Sequence, residues 1–131
     1  MLTEIFTLCD SAEDYNGKLI IVGTFNNIYA PSFPATHPTL SIVAKVAFDA
    51  DETNEKHLFR IYIRKSDEEI TLMDTGYHDV VLINRGGGKI YSNFVLRANN
   101  LAFPKQGEYM VNLEIDEKLV AQTSIYAMQL Q

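Results

Sequence analysis

Alternation of apolar and polar side chains in the last third of the chain is the feature that most constrains the fold. Residues 109–115 carry an apolar side chain at every odd position, and residues 119–127 resume an alternating pattern after the polar turn Asp116-Glu117-Lys118. A period of two is the repeat of a β-strand, because successive side chains point to opposite faces of a sheet. The pattern predicts an antiparallel pair that closes the chain, and no comparable pattern points to a catalytic site.

Further segments alternate in the same way or are rich in β-branched and aromatic residues, whereas none sustains a helical period. They are residues 1–9, 18–25, 40–48, 59–64, 70–74, 80–84 and 90–97. Together with the closing pair they predict an all-β fold in a single domain of residues 1–131. The spacing favours a two-sheet antiparallel β-sandwich, immunoglobulin-like or C2-like, with about eight or nine strands.

The segments between these strands predict how they are connected. Asn16-Gly17 supplies the positive φ angles of a tight turn between the first two strands. Three prolines within residues 30–38 predict an extended crossover from one sheet to the other. The polar residues 49–55 are expected to form a hairpin loop between strands 40–48 and 59–64, and residues 85–89 a mobile turn.

Composition restricts the classes of function. The chain has 17 acidic and 11 basic residues in 131, a net charge of −6, which opposes nucleic-acid binding. No apolar run approaches the roughly 20 residues that span a bilayer. The single cysteine, Cys9, cannot form an intramolecular disulfide and is expected in the core, and the first residues lack a signal-peptide pattern. We therefore expect a cytoplasmic protein that needs no cofactor.

Two side chains are predicted to have structural roles. Tyr109 stands at the start of a late strand, where sandwich domains often bond a tyrosine hydroxyl back to the preceding turn. His57 follows the polar loop and is expected to be a partly buried residue at a sheet edge. None of the three histidines has a zinc-like spacing to other ligands.

Motifs at both ends of the chain resemble a family of small, mostly bacterial proteins classed only as a domain of unknown function. The resemblance implies a compact β-sandwich without an assigned activity, and it is weakest between Ser66 and Asn100. The residues that carry it are Leu8-Cys9-Asp10-Ser11-Ala12, Gly17-Lys18-Leu19, Gly23-Thr24-Phe25, Phe33-Pro34-Ala35 with His37, Phe103-Pro104, Gly107-Glu108-Tyr109 and Asp116.

Acidic residues in two loop regions suggest a calcium site, because Ca²⁺ prefers six to eight oxygen ligands. Asp10 and Asp14 lie in the first region, and Asp49 and Asp51 lie in the second. If both regions meet at one end of the sheets, their carboxylates could share an ion. The other interpretation is that each region is a solvated acidic turn.

Two aromatic surfaces are candidates for binding a partner. Tyr29 and Phe33 stand beside prolines on the predicted crossover and could present an apolar patch. Arg60, Tyr62 and Arg64 share one face of a predicted strand, where two guanidinium groups flank an aromatic ring and could stack a base or bind a phosphate. The alternatives are a cap on the end of the sandwich and a solvated outer sheet face.

These observations favour a non-catalytic protein-binding or accessory module. It would meet a protein partner, or a second copy of itself, through an edge strand or the crossover, since unpaired sheet edges invite pairing. The alternative is a sandwich of the C2 type that binds calcium or a small ligand through the acidic loops. We expect no enzymatic activity.

Overall fold

The computed structural model describes residues 1–84 and 86–131, which form ten strands and one short 3-10 helix, Ala50–Glu52. The strand count therefore exceeds the eight or nine expected. The strands are β1 (Leu2–Tyr15), β2 (Lys18–Thr24), β3 (Asn27–Ala30), β4 (Ala35–Phe48), β5 (Lys56–Lys65), β6 (Thr71–Asp74), β7 (His78–Val81), β8 (Ile90–Phe103), β9 (Gly107–Ile115) and β10 (Lys118–Gln129).

The strands form two sheets, and the described residues include no α-helix. Sheet A has the order β2-β1-β4-β8, and sheet B has the order β3-β10-β9-β5-β6, with β7 also paired to β5. The all-β prediction is confirmed. The expectation of purely antiparallel pairing is wrong in one place, because β3 runs parallel to β10. The connection between them is long enough in sequence to permit this, since parallel neighbours need a crossover.

One hydrophobic core is shared by the inward rows of both sheets. Sheet A contributes Leu8, Leu40, Ile42 and Phe48, and sheet B contributes Ile61, Ile63, Tyr109, Val111, Leu113, Ile115 and Ile125. These residues occupy the alternate positions that the sequence pattern marked as apolar. Each strand therefore turns one face inward, as the period of two requires.

Two tight turns form where the sequence predicts them. Tyr15 pairs with Lys18, and the intervening Asn16 and Gly17 have φ angles of 51° and 82°. Ile115 pairs with Lys118, and Asp116 and Glu117 have φ angles of 54° and 65°. Positive φ at both central positions is the geometry whose twist matches that of an antiparallel pair.

The predicted hairpin between the strands around residues 49–55 is wrong. β4 lies between β1 and β8 in sheet A, whereas β5 lies in sheet B beside β9. Residues 49–55 therefore carry the chain from one sheet to the other, because both sides of β4 already have partners.

The proline-rich segment carries the chain from β3 in sheet B to β4 in sheet A, as predicted. β4 begins at Ala35, earlier than the sequence pattern indicated, and includes Pro38. A proline is tolerated at this point because β1 pairs with β4 only as far as Ser41, which leaves one side of Pro38 without a ladder.

The predicted loop at residues 85–89 includes Arg85, which lies outside the described residues. The strands on either side of it do not pair with each other, because β7 pairs with β5 and β8 pairs with β4. The sequence pattern therefore located β8 and only overlapped β7, which spans His78–Val81 rather than residues 80–84, and it did not give their partners.

Tyr109 forms the corner that its position predicts. Its hydroxyl donates a 2.6 Å hydrogen bond to the Lys105 carbonyl, and its ring meets Phe103 edge to face, with 5.1 Å between ring centroids. The side chain is fully buried. This bond fixes the turn between β8 and β9 against the core.

We expect Tyr109→Phe to lower the free energy of unfolding by about 1 kcal/mol, because it removes a buried hydrogen bond and leaves the Lys105 carbonyl without its partner. Urea denaturation checks this. Tyr15→Phe is the control, since Tyr15 is 63% exposed and its loss of a hydroxyl should leave the unfolding curve unchanged. Equal stability of the two variants would contradict the structural role.

Candidate functional site

β8 is the longest unpaired edge of either sheet in the described part of the chain. Its 14 residues pair with β4 on one side only. Beside its other edge lies a cavity of about 290 Å³. We call this cavity the β8 groove; it is lined by Phe59, Ile61, Thr75, Asn93, Phe94, Val95 and Leu96.

The groove exists because sheet B is interrupted opposite β8. β7 pairs with residues 56–59 of β5, and β6 pairs with residues 62–64. Between them, Thr75 satisfies the backbone of Ile61: its N–H donates to the Ile61 carbonyl, and its Oγ1 accepts from the Ile61 N–H, both at 3.0 Å. The backbone of β5 therefore needs no further strand at this gap between β6 and β7.

The chemistry of β8 is that of an unprotected edge. Natural edge strands are usually blocked by lysine, proline or other charges. β8 contains neither lysine nor proline, and its one charged residue is Arg97. Tyr91 and Val95 are 54% and 38% exposed. The backbone edge and the apolar groove thus face the same opening.

Asn93 holds the β1–β2 hairpin against β8. Its Nδ2 donates to Asp14 Oδ2 at 3.3 Å and to the Gly17 carbonyl at 3.1 Å. Its Oδ1 is buried and has no hydrogen-bond partner among the described residues. The sequence analysis anticipated a strand here and an edge-strand role in general, but it did not single out β8. The sequence feature that could have identified β8 is the run Ile90–Leu96, which has no charged residue.

The structure brings Arg60, Tyr62 and Arg64 together on the outer face of sheet B. The two guanidinium carbons lie 4.3 and 5.2 Å from the Tyr62 ring centroid. Arg60 is already engaged, since it donates to both oxygens of Asp74 at 2.9 and 2.5 Å and lies 3.7 Å from Glu114.

The carboxylates around Arg60 account for the electrostatics of this face. The Arg60 guanidinium lowers the pKa of Asp74 to about 2, and burial, with a hydrogen bond to Glu114, raises the pKa of Tyr62. The Tyr77 hydroxyl also donates to Glu114, at 3.1 Å. Most of the basic stripe is therefore committed to an internal network, and Arg64 is its exposed member.

Tyr29 and Phe33 differ in accessibility. Tyr29 is 56% exposed, as a partner-binding residue should be. Phe33 is half-buried and packs against the core, as Phe25 also does. Phe33 is thus only partly exposed, and its predicted binding role stays a prediction. A binding role for Tyr29 stays a prediction.

The four candidate metal ligands do not form one site. Asp49, Asp51 and Glu52 have ligand atoms within 4.8 Å of one another, whereas neither Asp10 nor Asp14 joins that group. Asp14 instead accepts from the Gly17 N–H at 2.8 Å and from Asn93. The β1–β2 turn uses its carboxylate locally, so the two acidic regions do not combine.

The remaining acidic group already faces cations. The Met1 amino group lies 2.7 Å from Glu52 and 3.4 Å from Asp49, and Lys89 lies 3.9 Å from Asp49. Hydrogen bonds from the amino group lower the pKa of Glu52. The charges that would attract a metal ion are thus compensated in part within the protein.

His57 is buried rather than at a sheet edge, because β5 lies between β9 on one side and β6 and β7 on the other. Its side chain is 4% exposed; Nδ1 lies 2.6 Å from Asp116 Oδ2, and Nε2 lies 2.5 Å from the Glu52 carbonyl. Both partners can only accept a proton, so the imidazolium, with two N–H donors, satisfies both. His57 therefore joins the sheet-switching segment to the β9–β10 turn.

The pKa of His57 follows from these contacts. Burial lowers it, but the hydrogen bonds to the Glu52 carbonyl and to Asp116 outweigh burial and raise the pKa above its ordinary value. The Asp116 carboxylate also accepts from the Leu58 N–H at 3.0 Å. Although burial opposes it, the bonds from His57 and Leu58 lower the pKa of Asp116.

Cys9 lies in the interior, as expected. It is fully buried, and its thiol contacts the Ser11 and Ser41 carbonyls. Burial raises its pKa, which disfavours the reactive thiolate.

Comparison with known proteins identifies the family. The model of a family of unknown function (DUF6941) matches residues 4–128, so the chain belongs to that family. No curated protein matches the chain. The described residues contain no helix long and apolar enough to cross a membrane.

The acidic group generates a prediction about calcium. A Ca²⁺ site with a Kd of about 10⁻⁴ M would stabilise the fold by about 1.4 kcal/mol at about 1 mM Ca²⁺. We expect no rise in Tm, because the Met1 amino group and Lys89 already face these carboxylates. Thermal unfolding with Ca²⁺, and with Mg²⁺ as a control, tests this. A rise in Tm with Ca²⁺ that Asp51→Asn abolishes would contradict this expectation and support a calcium site.

The His57 contacts generate a prediction about pH. Because the folded pKa is raised, the contribution of His57 to stability is fully present below the unfolded value of about 6.5 and is lost as pH rises through the folded pKa. We expect His57→Gln to flatten the pH dependence of the unfolding free energy in this range. Asp116→Asn, which keeps a residue that tolerates positive φ, should reduce the slope as well. A slope unchanged in both variants would refute the charged contact.

Proposed function

We propose that this member of a family of unknown function is a non-catalytic protein-binding module that takes an extended segment of a partner protein along β8. The observation that carries the proposal is the coincidence of a long unpaired edge with an apolar groove. Neither feature alone would identify a partner, but together they match what an added strand requires. Main-chain hydrogen bonds supply affinity, and pockets for alternate side chains supply specificity.

The geometry of the opening supports this mode of binding. A strand added beside β8 would point alternate side chains into the space between the sheets. There they would meet Phe59, Ile61 and Leu96. The rings of Phe59 and Phe94, 5.2 Å apart, form one wall of this space. A volume of about 290 Å³ suits a few aliphatic side chains.

A second copy of the chain is a poorer occupant than a different protein. The inward residues of β8, among them Phe94 and Leu96, already pack against the core of their own protomer. Two β8 strands paired edge to edge would therefore leave both grooves unfilled. A segment whose apolar side chains are free before binding can fill the groove, and this is the occupant we propose.

The contacts of His57 and Cys9 support a non-catalytic role. A general base must have a ring nitrogen available to substrate, but both nitrogens of His57 face protein acceptors. Cys9 is buried with a raised pKa, and a nucleophile needs access and a thiolate. These arrangements are typical of structural residues.

We also propose that the two sheets form a sandwich of the immunoglobulin-like or C2-like type. The core shared by both sheets and the Tyr109 corner support this assignment. Such folds often present edge strands to partners, which is an argument by analogy.

The experiment is a selection of peptides from a random library on the immobilised full-length protein. We expect binders with apolar residues at alternate positions. In ¹H–¹⁵N spectra, they should shift and protect from exchange the amides of β8. Val95→Lys should weaken binding about tenfold or more, because a lysine on the edge disfavours an added strand.

Val22→Lys is the matched control, since Val22 is an exposed valine on β2, the opposite edge of sheet A. It should leave peptide affinity unchanged. The proposal fails if no peptide binds, if the shifts map to β2 or to the outer face of sheet B, or if Val95→Lys binds as well as the wild type. It also fails if sedimentation shows a dimer that Val95→Lys dissociates, since β8 would then hold a second copy.

A further inference from the structure

A second cleft, away from the β8 groove, opens where the end of β2 meets β3 and the start of β4. Its volume is about 350 Å³, and it lies at the seam between sheets A and B. Its walls combine three aromatic rings with one carboxylate: Phe25, Tyr29, His37 and Asp10. Clefts of this size hold small ligands or single side chains.

Aromatic side chains line the cleft. The rings of Phe25 and His37 are tilted by 42° to each other, with 5.7 Å between their centroids. Tyr29 is more than half exposed and lines the same space. The face of an aromatic ring carries partial negative charge, so such walls attract cations.

Asp10 adds a full negative charge to this wall. No ion pair among the described residues includes it. Gly23 makes room for the carboxylate: its φ is +70°, and a Cβ there would lie only 2.6 Å from Asp10 Oδ2. A glycine at this point lets the acid and the aromatic rings line one cleft.

We propose that this cleft binds an alkylammonium group. A carboxylate beside aromatic faces is the combination that recognises organic cations, through charge attraction and cation–π contact together. The net charge of −6 adds a favourable long-range field for a cation. This inference does not depend on the proposed role of β8.

An alkylammonium group can belong to a small molecule with a quaternary ammonium group or to a lysine side chain of another protein. Choline represents the first source, and Nα-acetyl-lysine N-methylamide represents the second. The neutral isostere 3,3-dimethylbutan-1-ol has the shape of choline without its charge. Comparing the three separates recognition of charge from filling of an apolar space.

The experiment is a titration of the full-length protein followed in ¹H–¹⁵N spectra. We expect choline or the lysine derivative to shift the amides from Gly23 to Tyr29 in a saturable way. The alcohol should bind about tenfold more weakly or worse. The tighter of the two cations identifies the source.

Asp10→Asn should weaken cation binding about tenfold, and Tyr29→Leu should weaken it independently. Asp51→Asn, an exposed acid outside the cleft, is the matched control and should bind like the wild type. The spectra also report whether each variant is folded. The proposal is overturned if the alcohol binds as well as choline, if folded Asp10→Asn and Tyr29→Leu keep wild-type affinity, or if tens of millimolar of either cation cause no saturable shift.

Discussion

The burial of the inward rows of sheets A and B against one another is the constraint on which the rest of the structure depends. Ile42, Phe48, Leu113 and Ile115 belong to one core although they come from opposite sheets. The central strands β4, β5 and β9 each have partners on both sides, and their inward apolar residues are fully buried except Phe59, which lines the β8 groove. The strands with free edges lie outside this centre, and there the molecule has surface available for binding.

Passage between the sheets has its own polar support. The chain leaves sheet A at Phe48 and enters sheet B at Lys56, and the segment between would be loosely held without a contact to the body of the protein. His57 provides one such contact by donating to the Glu52 carbonyl and the Asp116 carboxylate at once. The Met1 amino group on Glu52 and the Asn54 N–H, which donates to the Leu82 carbonyl at 2.6 Å, provide others. A buried charge is tolerated at His57 because it is paired and fully hydrogen-bonded.

The two candidate binding sites are alike in their position, whereas the outer face of sheet B differs from both. The β8 groove and the second cleft, which Asp10 and Tyr29 line, are both bordered by residues of the two sheets. On the outer face of sheet B, by contrast, Arg60 is neutralised by Asp74 and Glu114. The charge and the donors of a cation paired in this way are already engaged within the protein. An aromatic and basic pattern in a sequence is therefore not by itself a binding site.

The sequence by itself indicated most of the strands, though not β3, and the positions of the tight turns, because both depend on neighbouring residues. Period-two alternation marks residues 109–115, and Asn16-Gly17 and Asp116-Glu117 adopt the positive φ angles of hairpin turns. The position of Tyr109 was likewise readable from its local motif. Only the tertiary structure decided that β4 and β5 lie in different sheets, that β3 runs parallel to β10, and that β8 keeps a free edge. Those outcomes depend on which distant strands bury each other's apolar faces. The same packing decides which residues surround Asp10 and His57.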